Sequence, residues 1–316
     1  MASWIGEYEQ LMDMQTAGSG SARWCVARRR GQRFFIKEFL RPVYPPEGRL
    51  ASIAKEQRKR CEVFEGRKQR MYSALSCVIG DTLVPVVDFF RYNGRYYSVS
   101  EEVAQPYRNG DNIPSLTTRE IRALICELSE CLLHLHSQGI VHADLKPEHL
   151  LLAGRAGAYR LRLIDLDSGF LMEEPPGAQE EVEGDPVFLA PETFLRLMGE
   201  KTILSGKVDT FALGILIHWL WTKTFPWVDS DHYTYLYEAV LANGEIRISP
   251  EVPLAYRFPI QQMLRRDPEE RPDDGEIVRM LSFSRNENWR MGRPNQPLNG
   301  LSRFMKKPGS PFVEKR

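Results

Sequence analysis

The chain has five cysteines (Cys25, Cys61, Cys77, Cys126 and Cys131) and no Cys-x-x-Cys pair among them. An odd, scattered set forms neither a disulfide frame nor a zinc site, so free thiols in a reducing cytoplasm are expected. Net charge is absent as well: 42 Lys and Arg balance 42 Asp and Glu. That balance argues against a dedicated binder of nucleic acid or of a membrane surface. The longest apolar run, FALGILIHWLW at 211–221, is too short to span a bilayer and reads as a buried helix. The opening MASWIGEYEQLMDMQ lacks the basic flank and apolar core of a secretory leader, so a cytoplasmic protein is expected. There is no internal repeat. Residues 169–192 contain no Ser, Thr or Tyr.

What is present changes character along the chain. The first hundred residues are strand-rich: ARWCVARRRGQRFFIKEF reads as two strands around Arg30-Gly31. Residues 51–75 carry no proline and only Gly66, and their charge pattern predicts a helix. Residues 82–103 read as a hairpin, because Asn93-Gly94 suits a type I′ turn. From Thr118 to Ser137 a helical stripe runs through Ile121, Leu124, Ile125, Leu128, Leu132 and Leu135, with Thr117 or Thr118 as N-cap and Glu120 in the first turn. Leu161 and Leu163 alternate in strand fashion towards Asp165. Residues 282–316 hold eight Lys and Arg against two acids, net +6. They read as a disordered basic tail, with a docking arm for an acidic partner as the sharper alternative.

Transfer of a phosphoryl group from a nucleotide requires held phosphates, a divalent cation placed by carboxylates, and an oriented acceptor hydroxyl. Gly18 and Gly20, ahead of a strand, would let main-chain N–H groups approach phosphates, although a plain turn has the same composition. Lys37, at the end of FFIK, is by itself a surface charge or a phosphate clamp. In HADLKPEH, Asp144 can accept a hydroxyl proton and Lys146 can neutralise developing charge. Asp165 and Asp167, at i and i+2, face the same way if the strand stays extended, and two carboxylates suit Mg²⁺ or Mn²⁺. The bland alternative is a pair of turn aspartates.

Taken in order, these motifs give the chain a family likeness. From about residue 10 to 281 it resembles the eukaryotic-type Ser/Thr protein kinases, in an atypical and bacterial style. HADLKPEH stands where that family has H-R-D-L-K-P-E-N, and Asp165-Leu166-Asp167 stands for D-F-G. Ala190-Pro191-Glu192 closes an activation segment, KVDTFALG supplies an anchoring Asp209, and LRRDPEERP supplies Arg271, which should pair with Glu192. The resemblance implies an α+β, bilobal fold. It places a β-rich lobe at 1–103, a mainly helical lobe at 104–281 and the tail at 282–316. It also implies ATP under the glycine-rich loop, a hinge at Glu101-Glu102-Val103, a small gatekeeper at Ser100, Leu151 beneath the adenine, and a protein substrate. His142 would pack under the catalytic loop.

Several positions depart from that pattern. Arg23 takes the place of the third loop glycine, Cys25 that of the valine after it, and Phe35 that of a small residue before Lys37. Glu65, ahead of Glu62, is the choice to pair with Lys37. Ala143 removes an arginine that reads activation-loop phosphate, so geometry independent of such phosphorylation is expected. Asp185 replaces a threonine and could bond Lys146 in competition with Asp144. His149 replaces the metal-binding asparagine, while Asp167 replaces a glycine. One ligand is lost and one gained, and Mn²⁺ should serve at least as well as Mg²⁺. Three functions stay open: an active protein kinase, a pseudokinase scaffold, and a small-molecule phosphotransferase of the aminoglycoside or choline kinase type.

Overall fold

The computed structural model describes residues 3–16, 22–46, 48, 51–75, 78, 80–103, 116–177, 184–282 and 314–315. Two compact units emerge, one of Met1–Cys77, Val84–Ala104 and Leu298–Arg316, the other of Val78–Leu83 and Gln105–Pro297. The architecture is α+β, with a curled sheet in the first unit and most helices in the second.

In the first unit the strands are β1 (Trp4–Ile5), β2 (Tyr8–Gln10), β3 (Gln15–Thr16), β4 (Ala22–Arg29) and β5 (Gln32–Phe39); helix α1 (Ala51–Leu75) follows, then β6 (Val86–Tyr92) and β7 (Arg95–Glu101). They form one sheet in the order β1-β2-β4-β5-β7-β6, with β3 also on β4, and Glu314–Lys315 pairs parallel with β6. Both hairpins turn as the sequence predicts. Arg30 and Gly31 have φ of 52° and 83°, Asn93 and Gly94 have 49° and 72°, the positive pair that a two-residue type I′ turn needs.

Strand alternation then settles which residues share a face. In the β4–β5 register Cys25 lies opposite Ile36 and Ala27 opposite Phe34. All four are buried against Tyr8, Phe90 and Val99. Trp24 lies opposite Lys37, and Val26 opposite Phe35. The Trp24 and Phe35 rings stack at 5.3 Å. Cys25 therefore belongs to the core face, and Trp24 is the residue that shares Lys37's face. Helix α1 lays Cys61 and Phe64 against Phe39, Phe89 and Tyr96. Its Lys68 is buried with the ammonium 5.5 Å from the Phe39 ring and 5.9 Å from those of Phe64 and Tyr72, close enough for cation–π attraction.

The second unit contains α2 (Thr118–Ser137), β8 (Ile140–Val141), a 3₁₀ turn (Pro147–His149), β9 (Leu150–Ala153), β10 (Arg160–Leu163), β11 (Phe170–Leu171), α3 (Pro191–Leu197), α4 (Lys207–Thr222), α5 (Leu236–Leu241), α6 (Leu254–Met263) and α7 (Asp274–Ser282). Thr117 caps α2 in a reciprocal box with Glu120, and all six residues of the predicted stripe are buried. Each such side chain contributes roughly 1.5–3 kcal/mol. Helix α4 is buried on every side from Val208 to His218, as its continuous apolar run requires. No helix among the described residues is long and apolar enough to cross a membrane.

Candidate active site

The loop that follows β8 is held from beneath by Asp209, in the first turn of α4. Asp209 accepts the N–H of His142 through Oδ2 at 2.7 Å and that of Ala143 through Oδ1 at 2.8 Å. Ala143 has a φ of 63°, a conformation that costs a residue with a Cβ and is held here by its surroundings. His136 of α2 bridges Asp209 (Nε2, 2.9 Å) and Asp274 of α7 (Nδ1, 2.9 Å). Both ring nitrogens face carboxylates, so both must donate and the ring is an imidazolium. Burial opposes that charge, but bonds to the two carboxylates outweigh it and raise the His136 pKa to about 9. Gly206 is required beside it, since a Cβ there would lie 2.7 Å from His136 Nδ1.

This clamp makes stability depend on pH. A histidine whose folded pKa exceeds its unfolded value of about 6.5 stabilises fully below that value, and the contribution is lost as pH rises through the folded pKa. Urea midpoints should therefore fall between pH 6.5 and pH 9.5, and His136→Gln should flatten that slope. An unchanged slope in the variant would show that another group governs it.

Above this base the polar residues converge. Lys146 Nζ donates to Asp144 Oδ2 at 2.8 Å, and the Asp185 N–H donates to Asp144 Oδ1 at 3.2 Å. Asp185 does not reach for Lys146, as the sequence had left open; its own Oδ1 accepts the Val187 N–H at 3.0 Å. His142 is fully buried, donating from Nε2 to the Ile164 carbonyl and accepting the Asp144 N–H at Nδ1. His149 is buried too, and desolvation lowers its pKa despite the opposing pull of Asp165 and Asp144. Its Nδ1 lies 2.7 Å from the Asp144 carbonyl oxygen, which can only accept, so Nδ1 carries the proton. The Nε2 lone pair of neutral His149 is then left 3.4 Å from Asp165 Oδ2, an arrangement that a cation between them would relieve.

The premise of an extended chain through Asp165 and Asp167 does not hold. Strand β10 stops at Leu163, Asp165 has a φ of 68°, and the Asp167 N–H donates to Asp165 Oδ1 at 3.3 Å. A tight turn, not strand alternation, sets the two carboxylates. No group of three or more potential metal ligands comes together among the described residues.

Glu192 and Arg271 form a buried two-pronged pair, both contacts at 2.7 Å. The other Arg271 N–H groups reach the carbonyls of Arg265, Arg266 and Lys207, so all five donors of the guanidinium are used. Leu151 is buried on β9 opposite Arg162. In the first unit Lys37 lies on β5 opposite Ser98, and Ser100 opposite Phe35. Glu101 accepts from Gln32, Glu102 from Arg33, and Val103 follows directly. Glu65 accepts from Arg91 at 3.2 Å and from the Tyr96 hydroxyl. Gly18, Gly20 and most of the basic tail lie outside the described residues. Sequence reasoning missed His136, Asp274 and the Asp185 amide. The histidine six residues before His142 was the one available signal.

Comparison with known proteins gives a family and several relatives. The model described as "Protein kinase domain" matches residues 52–282. Serine/threonine-protein kinase ppk6 of Schizosaccharomyces pombe is 32% identical over 152 residues, 46% of this chain and 18% of that protein. MAP kinase kinase kinase wis4 of the same organism is 29% identical over 164 residues, 48% of this chain and 11% of that protein. Serine/threonine-protein kinase ULK3 of Rattus norvegicus is 28% identical over 198 residues, 60% of this chain and 39% of that protein. The chain therefore spans well under half the length of these relatives.

Proposed function

The chain belongs to the protein kinase family, and from that premise we propose that it transfers the γ-phosphate of ATP to Ser or Thr hydroxyls of proteins. The observation that carries this reading is the carboxylate of Asp144, oriented by Lys146 on one oxygen and by the Asp185 amide on the other. In the proposed reaction Asp144 receives the acceptor hydroxyl's proton, while Lys146 offsets charge on the transferring group. Lys37, Gly18 and Gly20 take the phosphates, Glu65 supports Lys37, and Glu101, Val103 and Leu151 contact the adenine. Two of the relatives are serine/threonine-protein kinases, which supports this reading. The buried Glu192–Arg271 pair favours a protein kinase over a small-molecule phosphotransferase. Transfer is independent of phosphorylation within 169–192, which holds no hydroxyl residue. The net +6 of residues 282–316 would suit an acidic partner.

Asp165, Asp167 and the Nε2 of His149 are the groups that would hold a divalent cation together with phosphate oxygens, since among the described residues they do not gather into a three-ligand group by themselves. A nitrogen donor among oxygens suits Mn²⁺ at least as well as Mg²⁺. Such a cation would neutralise the phosphate oxygens of ATP. His149→Asn, which returns an oxygen ligand, should shift the preference towards Mg²⁺. Transfer rates with each metal for wild type and variant measure this, and an unmoved preference would remove His149 from the ligand set.

The pseudokinase reading draws on one observation, that no three-ligand group comes together among the described residues. Thermal shift with ATP and either metal separates the two: a rise in Tm supports nucleotide binding, and no rise with both metals supports the scaffold.

A further inference from the structure

We propose that Asp185 is a positioning residue for phosphoryl transfer: its main-chain amide fixes the Asp144 carboxylate, and its side chain holds that amide in place. The inference rests on the reading of Asp144 as proton acceptor. A side chain at 185 has two choices. Pointed at Asp144, a carboxylate would meet another carboxylate, and like charges this close oppose each other. Instead it folds onto its own chain, where Oδ1 accepts the Val187 N–H at 3.0 Å. The Phe188 N–H also donates to the Asp185 carbonyl at 3.0 Å. An Asx turn is thus nested in a four-residue turn whose second residue is Pro186, a position that proline's fixed φ suits.

The turn is anchored on both sides. Phe188 is buried and meets Phe225 edge-on at 5.6 Å. Ala190 is the N-cap of α3, which Glu192 ties to Arg271. A Cβ on Gly184 would lie 3.6 Å from the Ala143 carbonyl, so the catalytic loop and the turn run in close apposition. The Asp185 N–H therefore arrives at Asp144 Oδ1 from a rigid direction, at 3.2 Å. With Lys146 on Oδ2, each oxygen of Asp144 has a donor that sets the carboxylate plane.

The test compares Asp185→Ala with Asp185→Asn, because asparagine keeps the Oδ1 acceptor and alanine removes it. Transfer to a generic Ser-containing peptide should show kcat down about 10- to 100-fold in Asp185→Ala. KM for ATP should hold, and Asp185→Asn should restore kcat. In an Asp144→Asn background Asp185→Ala should add no further loss, since residues acting as a unit are not additive. Amide hydrogen exchange supplies an arm that needs no activity: the Val187 amide should exchange faster in Asp185→Ala and at the wild-type rate in Asp185→Asn. A wild-type kcat in Asp185→Ala, an equal loss in Asp185→Asn, additivity with Asp144→Asn, or an unchanged Val187 amide would each overturn the proposal. A wild type that transfers nothing would instead overturn the kinase reading, and the Val187 amide would still decide the turn.

Discussion

Arg271→Ala lowers the unfolding free energy by about 3–5 kcal/mol, the cost of leaving a buried charge without its partner. Side-chain exposure is 0% for Arg271 and 5% for Glu192, so water cannot replace either member. The loss extends beyond the ion pair, because the same guanidinium also caps the carbonyls of Lys207, Arg265 and Arg266. Arg271→Lys should recover little, since an ammonium cannot reproduce the fork onto both Glu192 oxygens. Replacing both partners by apolar residues of similar volume should cost less than removing Arg271 alone. Chemical denaturation of the three variants measures this ordering. A loss below about 1 kcal/mol for Arg271→Ala would mean the pair behaves as an exposed one.

Asp144→Ala is expected to lower phosphoryl transfer by about 10²–10⁴-fold, the usual contribution of a positioned acid–base group. Stability should change little, because the loop backbone hangs on Asp209 and not on the Asp144 side chain. KM for ATP should also hold, since the role proposed for the carboxylate lies on the acceptor hydroxyl and not on the nucleotide. Steady-state kinetics beside a thermal melt separates these effects. A variant that melts like wild type and transfers at the wild-type rate would remove Asp144 from the chemistry.

Where the determinants are local, the sequence carries them plainly. Asn93-Gly94 turns one hairpin because only neighbouring residues set its φ values, and Thr117 with Glu120 closes the start of α2 within four residues. The bond between Asp144 and Lys146, proposed for the chemistry, is local in the same way, since the two sit two residues apart. Pairings far apart in sequence are less visible. His136 and Asp274 are separated by 138 residues, and no local pattern announces their meeting. The face on which Cys25 lies is set by pairing with β5, which local composition does not announce. Asp165 misled differently: a period-2 argument assumes an extended chain, and a positive φ at Asp165 ends it. The Asp185 amide was out of reach altogether, because every residue but proline carries an N–H and its aim is set by the turn alone.

Transfer of label from ATP to protein, with Mg²⁺ or Mn²⁺ and with Asp144→Ala and Asp165→Ala alongside, tests the central claim most directly. Metal-dependent labelling of Ser or Thr that disappears in both variants is the predicted result. Labelling that persists in both, or no labelling by the wild type with either metal, would contradict it.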